Sequence, residues 1–217
     1  MAALGGARRL REAGLDPFAL LKFPGHKMTM FSRRALLIAT GALAASGVRA
    51  QEPAWQALLA GGCALLLRHA QTEPGVGDPP GFRPDQCNTQ RNLSSAGREQ
   101  ALRIGEALRR RGVIFDEVLS SRWCRCIDTA RLVAPAPRTR VFEPLNSTFN
   151  DRALEPNQSE ALRRYLAGLR PPRRALLVTH QVNISALAQA FVAMGEGLVV
   201  SIDGENVNIA GRLNLGA

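Results

Sequence analysis

The stretch "ALLLRHAQT", residues 64–72, carries an unbroken apolar run into an Arg-His pair. A run without polar alternation marks a strand covered on both faces, as in a parallel sheet with helices above and below. The chain has three histidines, His26, His69 and His180, so one at the mouth of such a strand points to chemistry. In sheets of this kind ligands bind beyond the carboxyl ends of the strands, where Arg68 and His69 fall.

Working outward, the same alternation of elements continues. Residues 94–111, "SSAGREQALRIGEALRRR", put Ala101, Ile104, Ala107 and Leu108 at helical spacing, with Ser94 or Ser95 as N-cap and Gly112 as stop. "EVLSS" (117–121) predicts a second strand, and "RCIDTARLV" (125–133) a helix ended by Pro135. "TRVFEPL" (139–145) reads as a third strand, "SEALRRYLAGL" (159–169) as a helix, and "RALLVTH" (174–180) as a fourth strand. A helix over 182–194 follows, then a hairpin of "LVVSI" and "VNIAGRL" around Asp203-Gly204. The fold class is α/β: a three-layer sandwich with a largely parallel central sheet flanked by helices. His69, Arg125 and His180 follow the first, second and fourth strands and so share one rim.

The N-terminus reads as processing signal rather than fold. Residues 32–50, "SRRALLIATGALAASGVRA", join two arginines, an apolar run and the small-residue pattern Val48-Arg49-Ala50, the layout of a cleavable signal peptide. The run is shorter than the ~20 apolar residues of a membrane span, so no stable span is expected after processing. Arg33-Arg34 after Ser32 resembles a twin-arginine signal, although Leu36 stands where Phe is usual. Met28 and Met30 precede it, so residues 1–27 are expected to be an upstream extension. The expected organisation is extension and signal over 1–50, with the signal at about 28–50, one domain over 51–217, and a periplasmic or secreted location.

Eight of the 28 Lys and Arg and two of the 18 Asp and Glu fall in residues 1–50, which leaves +4 on the rest, against +10 for the whole chain. That balance does not call for nucleic acid, but arginines converging on a pocket would attract small anions. Of the four cysteines, Cys63 sits in the apolar run. One disulfide from Cys87 to Cys124 or Cys126 is expected in an exported protein.

An imidazole is a natural nucleophile for phosphoryl transfer near neutral pH. Planar guanidinium groups match the charged equatorial oxygens bidentately, and a second, protonated histidine could hold another oxygen. Two arginines and two histidines thus compose a phosphate box. At this point the chain resembles the histidine phosphatase superfamily, phosphoglycerate mutase-like, branch 1. The resemblance rests on "RHAQT", on Leu93, Ser94, Gly97, Gln100 and Ala101, on Ser121, Arg125, Thr129 and Ala130, and on "LLVTH" ending at His180. It implies a phosphoglycerate mutase-like fold and hydrolysis of a small phosphorylated substrate. In that reading His69 is the nucleophile, Arg68, Arg125 and His180 hold the phosphoryl group, and neither metal nor cofactor takes part. Thr72, Arg91, Asn146, Ser147 and Asn183 flank the motifs as candidate substrate contacts. Arg122 stands three residues early and reads as a rim residue.

Two departures stand out. Ser147 occupies the place where many members carry a general-acid Glu, so Glu196 is the first substitute and Asp151 the second. Ala70 and Gln181 replace glycines, which narrows the room around the phosphate or demands other backbone angles. The loop from Glu73 to Asn92 is expected to roof the pocket, with Arg83 or Arg91 reading a second acidic group. The missing Glu leaves a phospho-ligand-binding module with weak turnover as the alternative.

Overall fold

The computed structural model describes residues 51–216. The expected extension and signal peptide lie outside them.

After a helix that includes residues 51–60 (α1), the elements are β1 (Cys63–Arg68), α2 (Ser95–Arg110), β2 (Glu117–Ser120), α3 (Cys124–Val133), β3 (Arg140–Val141), α4 (Glu155–Ala167), β4 (Arg174–Thr179), α5 (Gln181–Ala188), β5 (Glu196–Asp203) and β6 (Asn206–Asn214). The six strands form one sheet in the order β3-β2-β4-β1-β5-β6. β1 to β4 run parallel, while β5 and β6 are antiparallel, so the sheet is mixed with a parallel centre.

The apolar run of β1 is explained by its two faces. Leu65 and Leu67 enter one core with Ile104 and Leu108 of α2 and Ala130 and Val133 of α3. Ala64 and Leu66 enter the other with Leu162 and Leu166 of α4 and Ile184 of α5. Each buried Leu contributes roughly 1.5–3 kcal/mol. Among the described residues no helix is long and apolar enough to cross a membrane.

Several boundaries differ from the sequence reading. The third strand is reduced to Arg140–Val141, because the chain turns into a short 3-10 helix over Glu143–Leu145 with Pro144 inside it. Pro144 lacks the N–H that a strand would need, and the Leu145 carbonyl accepts instead from Thr179 Oγ1 at 2.6 Å. α4 starts four residues earlier than expected, with Pro156 in its first turn, where a missing N–H costs nothing. α5 stops at Ala188 rather than continuing to 194, since Gln189 adopts a left-handed conformation at φ 51°. Ser94 caps α2 by accepting from the Gly97 N–H at 3.1 Å, and the hairpin turns at Gly204 with φ 59°.

α2 also fixes the segment that leaves β1. A Cβ at Gly97 would stand 1.8 Å from the Gln71 carbonyl oxygen, so only glycine admits this approach. Gln100 accepts from the Gln71 N–H at 3.0 Å and donates to the Met194 carbonyl at 3.0 Å, tying two loops together. Gly97→Ala should therefore push residues 69–71 off their seat and cost about 1–3 kcal/mol or more, read as a lower urea midpoint.

Candidate active site

β1 and β4 pair in parallel register, Arg68 opposite Thr179, and the His69 N–H continues the ladder to the Thr179 carbonyl at 3.1 Å. The residues that follow each strand, His69 and His180, therefore meet, with ring centroids 5.5 Å apart in an edge-to-face arrangement. Trp123 packs edge-on against His180 at 5.3 Å. Arg125 arrives from the first turn of α3, after the neighbouring strand β2. Cys126, the next residue, turns inward and places its thiol 3.5 Å from His180 Nε2, where Ser121 Oγ also stands at 2.9 Å.

The protonation state of His69 follows from its contacts. Its Nδ1 lies 2.9 Å from the Ala70 carbonyl, which can only accept, so Nδ1 carries the proton and Nε2 keeps a lone pair. Burial, then the charge of Arg125, push the ring down to about 3. His180 is likewise held well below the ordinary value by burial, then by Arg125 and His69. Burial and these charges thus disfavour the protonated His180 expected from the sequence. Low dielectric and three nearby guanidinium groups oppose a further positive charge.

Those guanidinium groups belong to Arg68, Arg91 and Arg125. Arg68 donates to the Val192 carbonyl at 2.9 Å. Arg91 donates to the Gly77 carbonyl at 2.7 Å and to Thr72 Oγ1. Arg125 forks onto Asp78, Nη1 to Oδ1 at 2.6 Å and Nη2 to Oδ2 at 3.2 Å, with both side chains 5% exposed. Asp78 also accepts from the Trp123 indole N–H at 2.9 Å and the Arg91 backbone N–H at 3.0 Å. Burial works against its ionised form, but Arg125 and these donors outweigh it and hold the carboxyl below its usual range. The Nε–H groups of Arg68 and Arg125 are buried without a protein partner among the described residues. Burial and, after it, the neighbouring guanidinium of Arg91 disfavour the charge on Arg68.

A cavity of about 500 Å³ gathers Arg68, His69, Asp78, Arg91, Arg125, His180, Ser147 and Asp151. The roof is the Glu73–Asn92 loop, through residues 75–78, Phe82, Pro84 and Arg91. Other candidates are not brought in. Glu196 sits at the start of β5, where its carboxylate accepts from the Ala193 N–H at 2.7 Å and pairs with Arg212; it does not line the cavity, which removes it as the acid. Asn183 is spent on the Asn146 carbonyl at 2.7 Å and Gln158 at 3.0 Å. Asn146 accepts from the Arg122 N–H at 2.8 Å and lines a neighbouring groove. Both hold the 144–146 loop instead of facing the cavity. Thr72 serves Arg91 from behind, and Arg83 is at the surface beside Asp85. Arg122 pairs with Glu143 at the surface.

Sequence reasoning missed Asp78 and Trp123. The signal for Asp78 was an acidic residue inside a Gly- and Pro-rich loop expected to cover arginines. Ala70 and Gln181 need no unusual backbone, since Gln189 alone among the described non-glycine residues has positive φ. The disulfide joins Cys87 to Cys124, one of the two expected pairings, and fastens the roof loop to α3. Cys126 cannot take part, because its thiol is buried on the His180 side of that helix.

Residues 64–144 match the family model of the histidine phosphatase superfamily (branch 1). The matched segment holds Arg68, His69, Arg91 and Arg125 and ends before His180. The broad-specificity phosphatase YOR283W of Saccharomyces cerevisiae is 38% identical over 69 residues, 32% of this chain and 28% of that protein, so the match spans little over a quarter of the relative's length. In fold, the protein histidine phosphatase SixA in complex with tungstate superposes with a TM-score of 0.51, 15% identity and coverage of 70% of this chain and 96% of the other. A mycobacterial glucosyl-3-phosphoglycerate phosphatase in complex with VO3 gives 0.52, 18% identity and coverage of 68% and 96%. Two findings stand together: residues 64–144 match the branch 1 histidine phosphatase model, and the described chain takes the phosphoglycerate mutase-like fold of these neighbours.

Because the folded His69 imidazole ionises near 3 and an unfolded one near ~6.5, the unfolded chain binds more protons in that window. Its contribution to stability is present above pH ~6.5 and is lost as pH falls toward 3. The urea midpoint should drop on acidification from pH 7 to 4, and His69→Asn should flatten the slope. Nitrogen-15 NMR should show His69 neutral, with the proton on Nδ1, at pH 5.

Proposed function

We propose that this chain is an exported phosphatase that hydrolyses a phosphomonoester through a phosphohistidine on His69. The observation that carries the reading is a neutral imidazole, its Nδ1–H spent on a carbonyl, whose ring lines a cavity shared with three guanidinium groups. Such preorganised positive charge favours the transition state of phosphoryl transfer over the free ester.

In the first step His69 Nε2 attacks phosphorus, the N–P bond forms and the ester P–O bond breaks. The leaving alkoxide takes its proton from Asp151. Of the two carboxylates that line the cavity, Asp78 is committed to Arg125, Arg91 and Trp123, whereas Asp151 only caps a short turn through the Ala153 N–H at 3.1 Å. In the second step Asp151 accepts a proton from water, the oxygen attacks phosphorus, the N–P bond breaks, and inorganic phosphate leaves with His69 neutral again. Arg68 and Arg125 bind the equatorial oxygens through the Nε–H groups that the protein leaves unpartnered. A phosphate dianion would in turn favour a charged His180.

Export is supported by the signal-like residues 32–50 and by the Cys87–Cys124 bridge, a bond at home in oxidising compartments. The mature protein recovered from a periplasmic fraction should begin at Gln51 on N-terminal sequencing.

Catalysis is tested by trapping. Wild type quenched during turnover of p-nitrophenyl phosphate should carry acid-labile, base-stable phosphate, and His69→Ala should carry none and hydrolyse nothing. Asp151→Asn should slow an alkyl phosphate about 10²-fold or more, yet slow p-nitrophenyl phosphate little, since nitrophenolate needs no proton. Tight phosphate binding by calorimetry without any turnover would mark a binding module and sink the reaction.

A further inference from the structure

A phosphate would fill little of the 500 Å³ cavity, and the lining of the remainder bears on the group that would carry it. Two lips frame the mouth. One is the roof loop with Val76, 89% exposed; the other is the 147–154 segment with Phe149, 51% exposed, and Leu154, 46% exposed. The lips approach each other closely, since a Cβ added at Gly77 would meet Phe149 Cε1 at 3.6 Å. Between them Phe82, Trp123, Val182 and Met194 continue the apolar wall down to the histidines. A fourth exposed apolar side chain, Phe191, lies under the Arg68 guanidinium at 5.8 Å. Three of the nine exposed large hydrophobic residues of the described chain, Val76, Phe149 and Leu154, therefore line this one cavity, a concentration that isolated surface hydrophobics do not show.

Among the polar side chains at the mouth, Ser147 Oγ accepts from the Phe149 N–H at 3.3 Å, Asp151 caps its turn through one oxygen and is the proposed acid, and Asn150 makes no side-chain hydrogen bond among the described residues. The Gln181 amide is used at both ends, on the Ala190 carbonyl at 2.9 Å and the Val192 N–H at 3.0 Å. A sugar or other polyol would thus bring hydroxyls to a wall with few partners and lose hydration without replacement. An apolar chain would cover Val76, Phe149 and Leu154 and gain by it. The two ends of the cavity select an amphiphile: an anion at the arginines, a hydrocarbon at the lips.

Resting on the phosphatase reading, we propose that the substrate is a phosphomonoester of a long apolar alcohol, alkyl or prenyl, whose chain leaves between the roof loop and the 147–154 segment. Specificity then comes from Val76, Phe149 and Leu154, residues that touch neither the phosphate nor its nucleophile.

The test is a kinetic series on the full chain with ethyl, butyl, hexyl and octyl phosphate, farnesyl phosphate and glucose 6-phosphate, all below their micellar concentrations. Each added CH₂ should raise kcat/KM about two- to fourfold until the chain outgrows the lips, and glucose 6-phosphate should fall below hexyl phosphate. In Phe149→Ser/Leu154→Ser the octyl-to-ethyl ratio should collapse at least tenfold. Val76→Asp, at the most exposed of the three positions, should do the same should the double variant fold poorly. A flat chain-length series, or a sugar phosphate preferred by an enzyme that forms the His69 phosphoenzyme with p-nitrophenyl phosphate, overturns the substrate class and leaves the phosphatase reading intact. No phosphoenzyme and no turnover with any ester overturns both.

Discussion

Parallel pairing of β1 with β4 is the constraint on which the site depends. The two strands are separated by more than a hundred residues of chain, yet their register puts Arg68 opposite Thr179, and the next residue of each is a histidine. Antiparallel pairing would send the two rings to opposite edges of the sheet. Both strands are apolar on both faces because helices cover both, α2 and α3 on one side and α4 and α5 on the other. The same burial that holds the strands therefore delivers two imidazoles to a place with little water. There their protonation is governed by desolvation and by neighbouring arginines rather than by the ordinary value of the group.

Three guanidinium groups around two neutral rings make an unbalanced charge. The protein offsets part of it with Asp78, which takes both ends of the Arg125 fork in a nearly dry environment. Such a pair is weak evidence for stability, because desolvation of both ions consumes much of the attraction. Its clearer effect is orientation. With Nη1 and Nη2 of Arg125 held by one carboxylate, its buried Nε–H is left without a protein partner among the described residues, and the roof loop carrying Asp78 is fastened at its far end by the Cys87–Cys124 bridge. The anion site is thus assembled from a rigid sheet rim and a strapped loop, which limits reorganisation when a charged ligand arrives.

In the proposed reaction, specificity sits on different elements from chemistry. The reacting groups stand on strand ends and a helix start, whereas the lips are irregular segments between elements, free to vary without disturbing the core. Exposed Val76, Phe149 and Leu154 have no packing duty that would account for them. Their common position at the opening of the one cavity that holds both histidines is what gives them meaning.

How much was legible in the sequence follows from the range of the interactions involved. Covered strands, helix caps at Ser94 and the turn at Gly204 are local patterns of hydrophobicity and backbone preference, so the residues in line determined them, and with them an α/β fold and the placing of His69, Arg125 and His180 on one rim. The third strand failed at Pro144 because a nominally β-rich run met a missing donor. Glu196 and Asp78 mark the other limit. Both are carboxylates in loops or at loop edges, and nothing in their neighbours tells which partner each one takes. Only the folded chain decides that Glu196 turns to Arg212 and the Ala193 N–H, while Asp78 folds inward onto Arg125. A side chain's partner across a long loop depends on where the whole backbone closes, and a linear pattern does not carry that information. Sequence determined which groups could do the chemistry; tertiary structure decided which of them meet, which carry protons, and which apolar side chains share their cavity.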